Sequence, residues 1–201
     1  REYLEGFEVS DDLLERVFTL NQKYNTIAEE NEDVARNVNW KLKSFEWDNL
    51  FNYGASNKVD FENLNGIVGI FGKNFSGKSS IIDGLLYTVF NTSKNERKNL
   101  NIINQNKESC KGSVEITIGS NVYSIDRSSE KYTKRLKGEE TVEAKTDLEF
   151  NMYDPVLDET TSLNGVSRIQ TDANIRKNLG TVEDFLLTSM ASQLDSLQFI
   201  K

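Results

Sequence analysis

The stretch Ile67-Val68-Gly69-Ile70-Phe71-Gly72-Lys73-Asn74-Phe75-Ser76-Gly77-Lys78-Ser79-Ser80 constrains the fold more than any other part of this sequence. An apolar run of strand length enters a glycine-bearing loop, and the loop enters Ile81-Ile82-Asp83-Gly84-Leu85-Leu86-Tyr87-Thr88-Val89-Phe90, whose apolar spacing is that of a buried helix. Residues Gly72 to Ser79 satisfy G-x-x-x-x-G-K-[ST], a loop that cradles phosphates. Gly72 and Gly77 let the backbone curl so that successive N–H groups point inward. The helix beginning at Lys78 adds its unpaired N–H groups and the positive end of its dipole. The expected nucleotide cradle is Gly72, Lys73, Asn74, Phe75, Ser76, Gly77, Lys78, Ser79 and Ser80. Within it, the Lys78 ammonium reaches the β- and γ-phosphates as the catalytic cation, and the Ser79 hydroxyl ligates Mg²⁺.

Composition removes several classes of function. The 201 residues include no histidine and one cysteine, which excludes imidazole metal chemistry, histidine acid–base catalysis and an internal disulfide. A reducing, cytoplasmic setting without a membrane is expected, since no apolar run approaches the 18 or so residues of a membrane span. The chain starts at Arg1 and stops at Lys201 inside an apolar–polar pattern, so a longer parent is expected. Of the net charge of -8, residues 1–38 carry ten acidic against four basic side chains, or -6. Residues 39–201 are left with 22 against 20, or -2, a balance that neither supports nor forbids a local phosphate-binding patch.

In chain order, Ser10-Asp11-Asp12 reads as a helix start, and Leu13, Val17, Leu20, Tyr24 and Ile27 follow at helical spacing. Residues 1–38 are therefore an acidic helical extension and linker. Trp40 to Trp47 and Lys58 to Phe61 read as strands placed ahead of the phosphate-loop strand, an order unlike a simple kinase. Gly112 to Ile118 and Asn121 to Arg127 read as a hairpin joined by Gly119-Ser120, with a further strand over Thr146 to Tyr153. Beyond the hairpin, Arg127, Lys131, Lys134, Arg135 and Lys137 gather with Tyr132, and this tip is expected to meet duplex DNA phosphates. Two short helices follow, Thr171 to Leu179 ended by Gly180 and Val182 to Met190 begun by Thr181.

Asn49 to Gly54, Val59-Asp60-Phe61 and the run from Gly66 to Leu85 together resemble the N-terminal half of SbcC-type ATPases. These are the SMC-related subunits of a double-strand-break repair nuclease complex, and they include bacteriophage recombination counterparts. Their loop reads G-x-N-G-x-G-K-S-S, matched here by Gly72, Asn74, Ser76, Gly77, Lys78, Ser79 and Ser80. Phe75 stands where the family has a glycine, and Phe51 where several cellular members carry an arginine. The resemblance implies an α/β fold of P-loop NTPase type: the N-terminal lobe of an ABC/SMC-type head over 39–201, with an antiparallel β-layer beside a mainly parallel core. It implies ATP and Mg²⁺ as cofactors, with Gln193 as a second Mg²⁺ contact, and a coiled coil after Lys201. The implied partners are the C-terminal half of the same head, a second head that dimerises on ATP, an SbcD-type nuclease subunit and double-stranded DNA.

No four apolar residues followed by Asp-Glu occur, nor an L-S-G-G-like signature. Phosphoryl transfer needs several such parts, so this chain alone is expected to be a poor ATPase. Two other classes share the loop. A structural SMC- or RecF-like clamp would use the same head, while a small-molecule P-loop kinase would need an arginine-bearing lid within this length.

Overall fold

In the computed structural model the described residues are 13, 16–23, 39–74, 76–92, 99–136 and 139–188. They form a mixed α/β structure built on one antiparallel sheet. The elements run β1 (Trp40–Asp48), β2 (Asn57–Asp60), α1 (Ser80–Phe90), a short 3-10 turn (Asn99–Asn101), β3 (Ser109–Ile118), β4 (Asn121–Leu136) and β5 (Glu139–Asp154). After them come β6 (Glu159–Ser162), α2 (Arg168–Leu179) and α3 (Val182–Thr188). The six strands lie in the order β2-β1-β3-β4-β5-β6. Each pair is antiparallel, and only the step from β2 to β3 is not a hairpin. The phosphate loop and α1 lie within that step.

Alternation decides which face of the sheet is dry. Cys110, Val114 and Ile116 of β3, Tyr123 and Ile125 of β4, and Phe150 of β5 are buried on one side with Phe45 and Trp47 of β1. The opposite side carries ion pairs, among them Lys43–Glu115, Lys58–Glu46 and Lys111–Asp126. In β1 the apolar residues Trp40, Leu42, Phe45 and Trp47 do not keep strict alternation, because two polar residues separate Leu42 from Phe45. A β-bulge resolves this: Leu42 faces Ile116 and Ser44 faces Glu115, so Lys43 is the extra residue and both apolar pairs reach the dry face.

Helix α1 closes that face. Its buried residues include Leu86, Tyr87, Thr88 and Val89, and it approaches the sheet where side chains are smallest. A Cβ on Gly112 would fall 1.9 Å from Thr88 Oγ1, so only glycine lets the helix come this close. Helix α2 packs beside it through Ile175 and Leu179, capped at its start by the Ser167 hydroxyl, which accepts from the Gln170 N–H, and at its end by Gly180. Trp40 ties α2 and α3 to β1: its indole donates to the Leu179 carbonyl (3.1 Å), and its ring stacks on Phe185 of α3 at 5.6 Å.

The structure departs from the sequence expectations in three places. Residues 67–71, expected as a buried strand, form no strand. Their apolar side chains are exposed, with Phe71 at 94%. An all-apolar pattern suits a strand with neighbours on both sides and layers on both faces, and no strand of the described sheet flanks this one. Second, β4 and β5 run much further than expected and make a ribbon that outreaches β3, because hairpin pairing continues through polar residues that need no core. Third, β6 is a short edge strand with no apolar signal of its own. Near the N-terminus, residues 16–23 are helical, with Val17, Phe18 and Leu20 exposed. No helix among the described residues is long and apolar enough to cross a membrane.

Candidate phosphate-binding site

The loop of residues 72–80 is curled by its own backbone and by one side chain. Gly77 sits at φ +88°, a left-handed conformation that a Cβ would strain. The Ser76 N–H donates to the Lys73 carbonyl (3.3 Å), and the Ser80 N–H donates to the Gly77 carbonyl (3.0 Å), which starts α1. The Lys78 ammonium folds back to donate to the carbonyls of Gly72 (2.8 Å) and Lys73 (2.7 Å), joining the two ends of the curl. A Cβ on Gly72 would lie 2.9 Å from Ser76 Oγ, so the first glycine leaves room for the curl to close.

An open cavity of about 510 Å³ lies against this loop, lined by Asn52, Asn74, Ser76, Gly77, Lys78, Ser79 and Ser80. The N-terminus of α1 borders it. Ser79, at the helix N-cap, makes no side-chain capping bond, so its hydroxyl is not committed to the helix. A larger cavity of about 770 Å³ lies between residues 100–108 and the ribbon, but among the described residues its charged lining is Glu108 and Lys131 alone. The smaller cavity carries the chemistry: an ammonium, a helix terminus and a hydroxyl converge on it. Such a site receives phosphate oxygens and a hard cation held by oxygen.

The structure thus brings together Gly72, Lys73, Asn74, Ser76, Gly77, Lys78, Ser79 and Ser80 of the expected cradle. Phe75, Lys137 and Gln193 lie outside the described residues. Among the described residues there is no group of three or more Asp, Glu, Cys or His side chains able to hold a metal ion. Sequence reasoning gave no role to Tyr53, which the structure sets directly against the loop: its hydroxyl donates to the Gly77 carbonyl at 3.0 Å. Burial raises the Tyr53 phenol above its usual pKa, so it keeps its proton, and its role as donor, further into the alkaline range. Phe51 packs on the core.

The basic cluster beyond the hairpin does not form as the sequence suggested. Arg127 is 0% exposed, and its guanidinium lies under α1, donating to the carbonyls of Thr88 (2.9 Å) and Val89 (3.4 Å) and pairing with Asp172 of α2 at 2.7 Å. It is a structural strut and offers nothing to a polyanion. The other cations divide between the two faces of the ribbon, since Lys131 and Arg135 share one parity and Lys134 the other. Lys134 pairs with Glu143, Arg135 pairs with Glu140, and the Lys131 ammonium donates to the Gln105 carbonyl. Carboxylates across the hairpin, nine residues along the chain from Lys134 and five from Arg135, therefore offset two of these cations.

The AAA domain family profile matches residues 41–200, which takes in the phosphate loop and the described strands except for Trp40, the first residue of β1. The chain belongs to the AAA domain family. This AAA domain is 29% identical over 215 aligned positions to an uncharacterized protein of Acanthamoeba polyphaga mimivirus. That alignment covers 98% of the chain and 15% of the mimivirus protein. Among solved structures, the AAA domain is similar to the recombination mediator protein RecF of the RecFOR pathway. The ATPγS form shares 18% identity at a TM-score of 0.39, over 52% of this chain and 26% of that one. The ATP form shares 15% identity at a TM-score of 0.41, over 66% and 30%. The chain spans a minor part of each of these longer proteins.

Proposed function

We propose that this chain is the ATP-binding half of an SbcC-type DNA-repair and recombination ATPase head. The observation that carries the reading is the curled loop of residues 72–80, with Lys78 spanning it and α1 opening behind it. Backbone N–H groups of the loop and the first turn of α1 would hold the phosphates of ATP, and the Lys78 ammonium would neutralise their charge. Among the described residues the Ser79 hydroxyl would be an oxygen ligand to Mg²⁺, and Gln193, outside the described residues, is proposed as a second. Bound Mg²⁺ supplies charge neutralisation between the phosphates.

The exposed run Ile67 to Phe71 supports a second half. Four exposed apolar side chains on a segment that pairs with no strand among the described residues, leading straight into the loop, suit a central strand whose neighbours come from elsewhere in the protein. In this reading the C-terminal half of the head supplies them, together with the acidic and signature residues, and two complete heads close on ATP to gate duplex DNA for an SbcD-type nuclease.

Calorimetry of Mg-ATP uptake by the full-length protein tests the reading. Wild type should bind, and Lys78→Ala should weaken binding by roughly a hundredfold, as loss of a charge-assisted contact to phosphate implies. No uptake by wild type would sink the proposal. DNA contact through the ribbon rests on Lys131, Lys134 and Arg135. Neutralising all three should reduce the slope of log affinity for duplex DNA against log salt by about two to three, and an unmoved slope places DNA elsewhere on the molecule.

A further inference from the structure

Resting on that reading, we infer that Tyr53 is the positioning residue of the phosphate loop: its hydroxyl fixes the peptide between Gly77 and Lys78 so that the Lys78 N–H faces the cavity. The Gly77 carbonyl accepts two hydrogen bonds, from Tyr53 and from the Ser80 N–H, each 3.0 Å. A trans peptide is planar, with its C=O and N–H pointing in opposite directions. Anchoring the carbonyl on the Tyr53 side therefore sets the amide toward the side where Asn74, Ser76 and Ser79 line the cavity. Rotating this peptide would break both bonds at once. Glycine at φ +88° has the freedom to make that rotation, so something outside the loop must oppose it.

Tyr53 is itself held firmly enough to serve. Its ring stands edge-on to Trp47 at 5.3 Å, and Trp47 stacks on Phe45 at 4.6 Å, both within β1. Its N–H donates to the Leu50 carbonyl (2.9 Å), and its carbonyl accepts from the Asn104 side chain (3.0 Å). The turn before it contains two non-glycine residues in left-handed conformations, Asn49 at φ 55° and Phe51 at φ 51°. They are fastened by the Asn104 N–H to the Asn49 carbonyl (2.8 Å) and the Phe51 N–H to the Ile102 carbonyl (2.7 Å). Backbone strain of that kind persists only where the surroundings over-determine it. The sheet, through β1 and this turn, thus fixes the orientation of an amide in the cradle, and the ligand class it serves is the phosphate chain of a nucleotide.

Tyr53→Phe removes the hydroxyl and keeps the ring against Trp47. In the full-length protein, amide exchange over residues 72–80 is measured without nucleotide, and Mg-ATP and adenosine affinities are measured by calorimetry. The inference expects exchange in the loop to rise about tenfold, the worth of one hydrogen bond to a fixed acceptor. It also expects Mg-ATP affinity to fall by a similar factor while adenosine affinity and exchange in β3 and β4 stay unchanged. A folded variant with wild-type loop exchange and wild-type Mg-ATP affinity overturns the inference. Faster loop exchange in a protein whose wild type takes up no Mg-ATP overturns the nucleotide reading and leaves the clamp itself standing.

Discussion

Arg127 illustrates how burial rewrites a residue's meaning. In the sequence it begins a basic run, but in the structure it receives the carbonyl end of α1 and the carboxylate of Asp172. Its Nη1 has no hydrogen-bond partner among the described residues. A buried cation under a helix C-terminus is favoured by the dipole, and its removal strands Asp172 and two carbonyls. Arg127→Ala should therefore cost about 3–5 kcal/mol in urea unfolding, with Asp172→Asn costing less because the amide oxygen can still accept from the guanidinium. Equal and small effects from both would show that the strut does not hold α1. Nearby, burial pushes the Cys110 thiol up to about 11 and raises the Tyr87 phenol, which hydrogen-bonds Ser129 at 2.7 Å. A raised thiol favours the folded state below the unfolded pKa near 9. That contribution is lost as pH climbs toward 11.

At the level of elements, α1 meets β3 closely enough at Gly112 that no Cβ fits between them. Thr88 donates back to the Gly84 carbonyl at 2.7 Å and so lies flat over Gly112. Gly112→Ala forces the helix outward and should destabilise by about 2–3 kcal/mol, and adding Thr88→Ala should recover most of that in a double-mutant cycle. Additive losses would mean the two sites do not meet. This contact was not legible in the sequence, where Gly112 reads only as the start of a strand, because close approach is a property of two distant segments. The hairpin at Gly119-Ser120, the helix after the loop and the cap at Gly180 were legible, since each depends on neighbours within a few residues. Within the site, the loop could be read from its fixed glycines, lysine and serine. Tyr53 could not, because it acts from 24 positions away through a hydroxyl that any aromatic pattern hides. The reading of residues 67–71 as a strand failed because pattern reports what a segment needs, and the described sheet does not supply it.

For the molecule as a whole, that unmet need is the main asymmetry. The sheet is dry on one face and ends in two short edge strands of four residues each, β2 and β6, which limits pairing with other chains. The segment 67–71 has no such protection. In the isolated chain its amides should exchange with solvent within seconds, and in the intact protein they should slow by several orders of magnitude if strands from the other half flank them. Hydrogen exchange with mass spectrometry checks this, and equally fast exchange in both would remove the case for a composite sheet.

The ribbon, finally, gives the molecule leverage. Residues 131–136 of β4 extend past the last residue paired to β3, and at about 3.3 Å per residue that overhang is roughly 20 Å long. Arg127 stands near its root and grips the far end of the helix that starts at the phosphate loop. A tilt of a few degrees at that fulcrum becomes a sweep of an ångström or more at the tip, so a shift too small to disturb the core is large where the ribbon meets its surroundings.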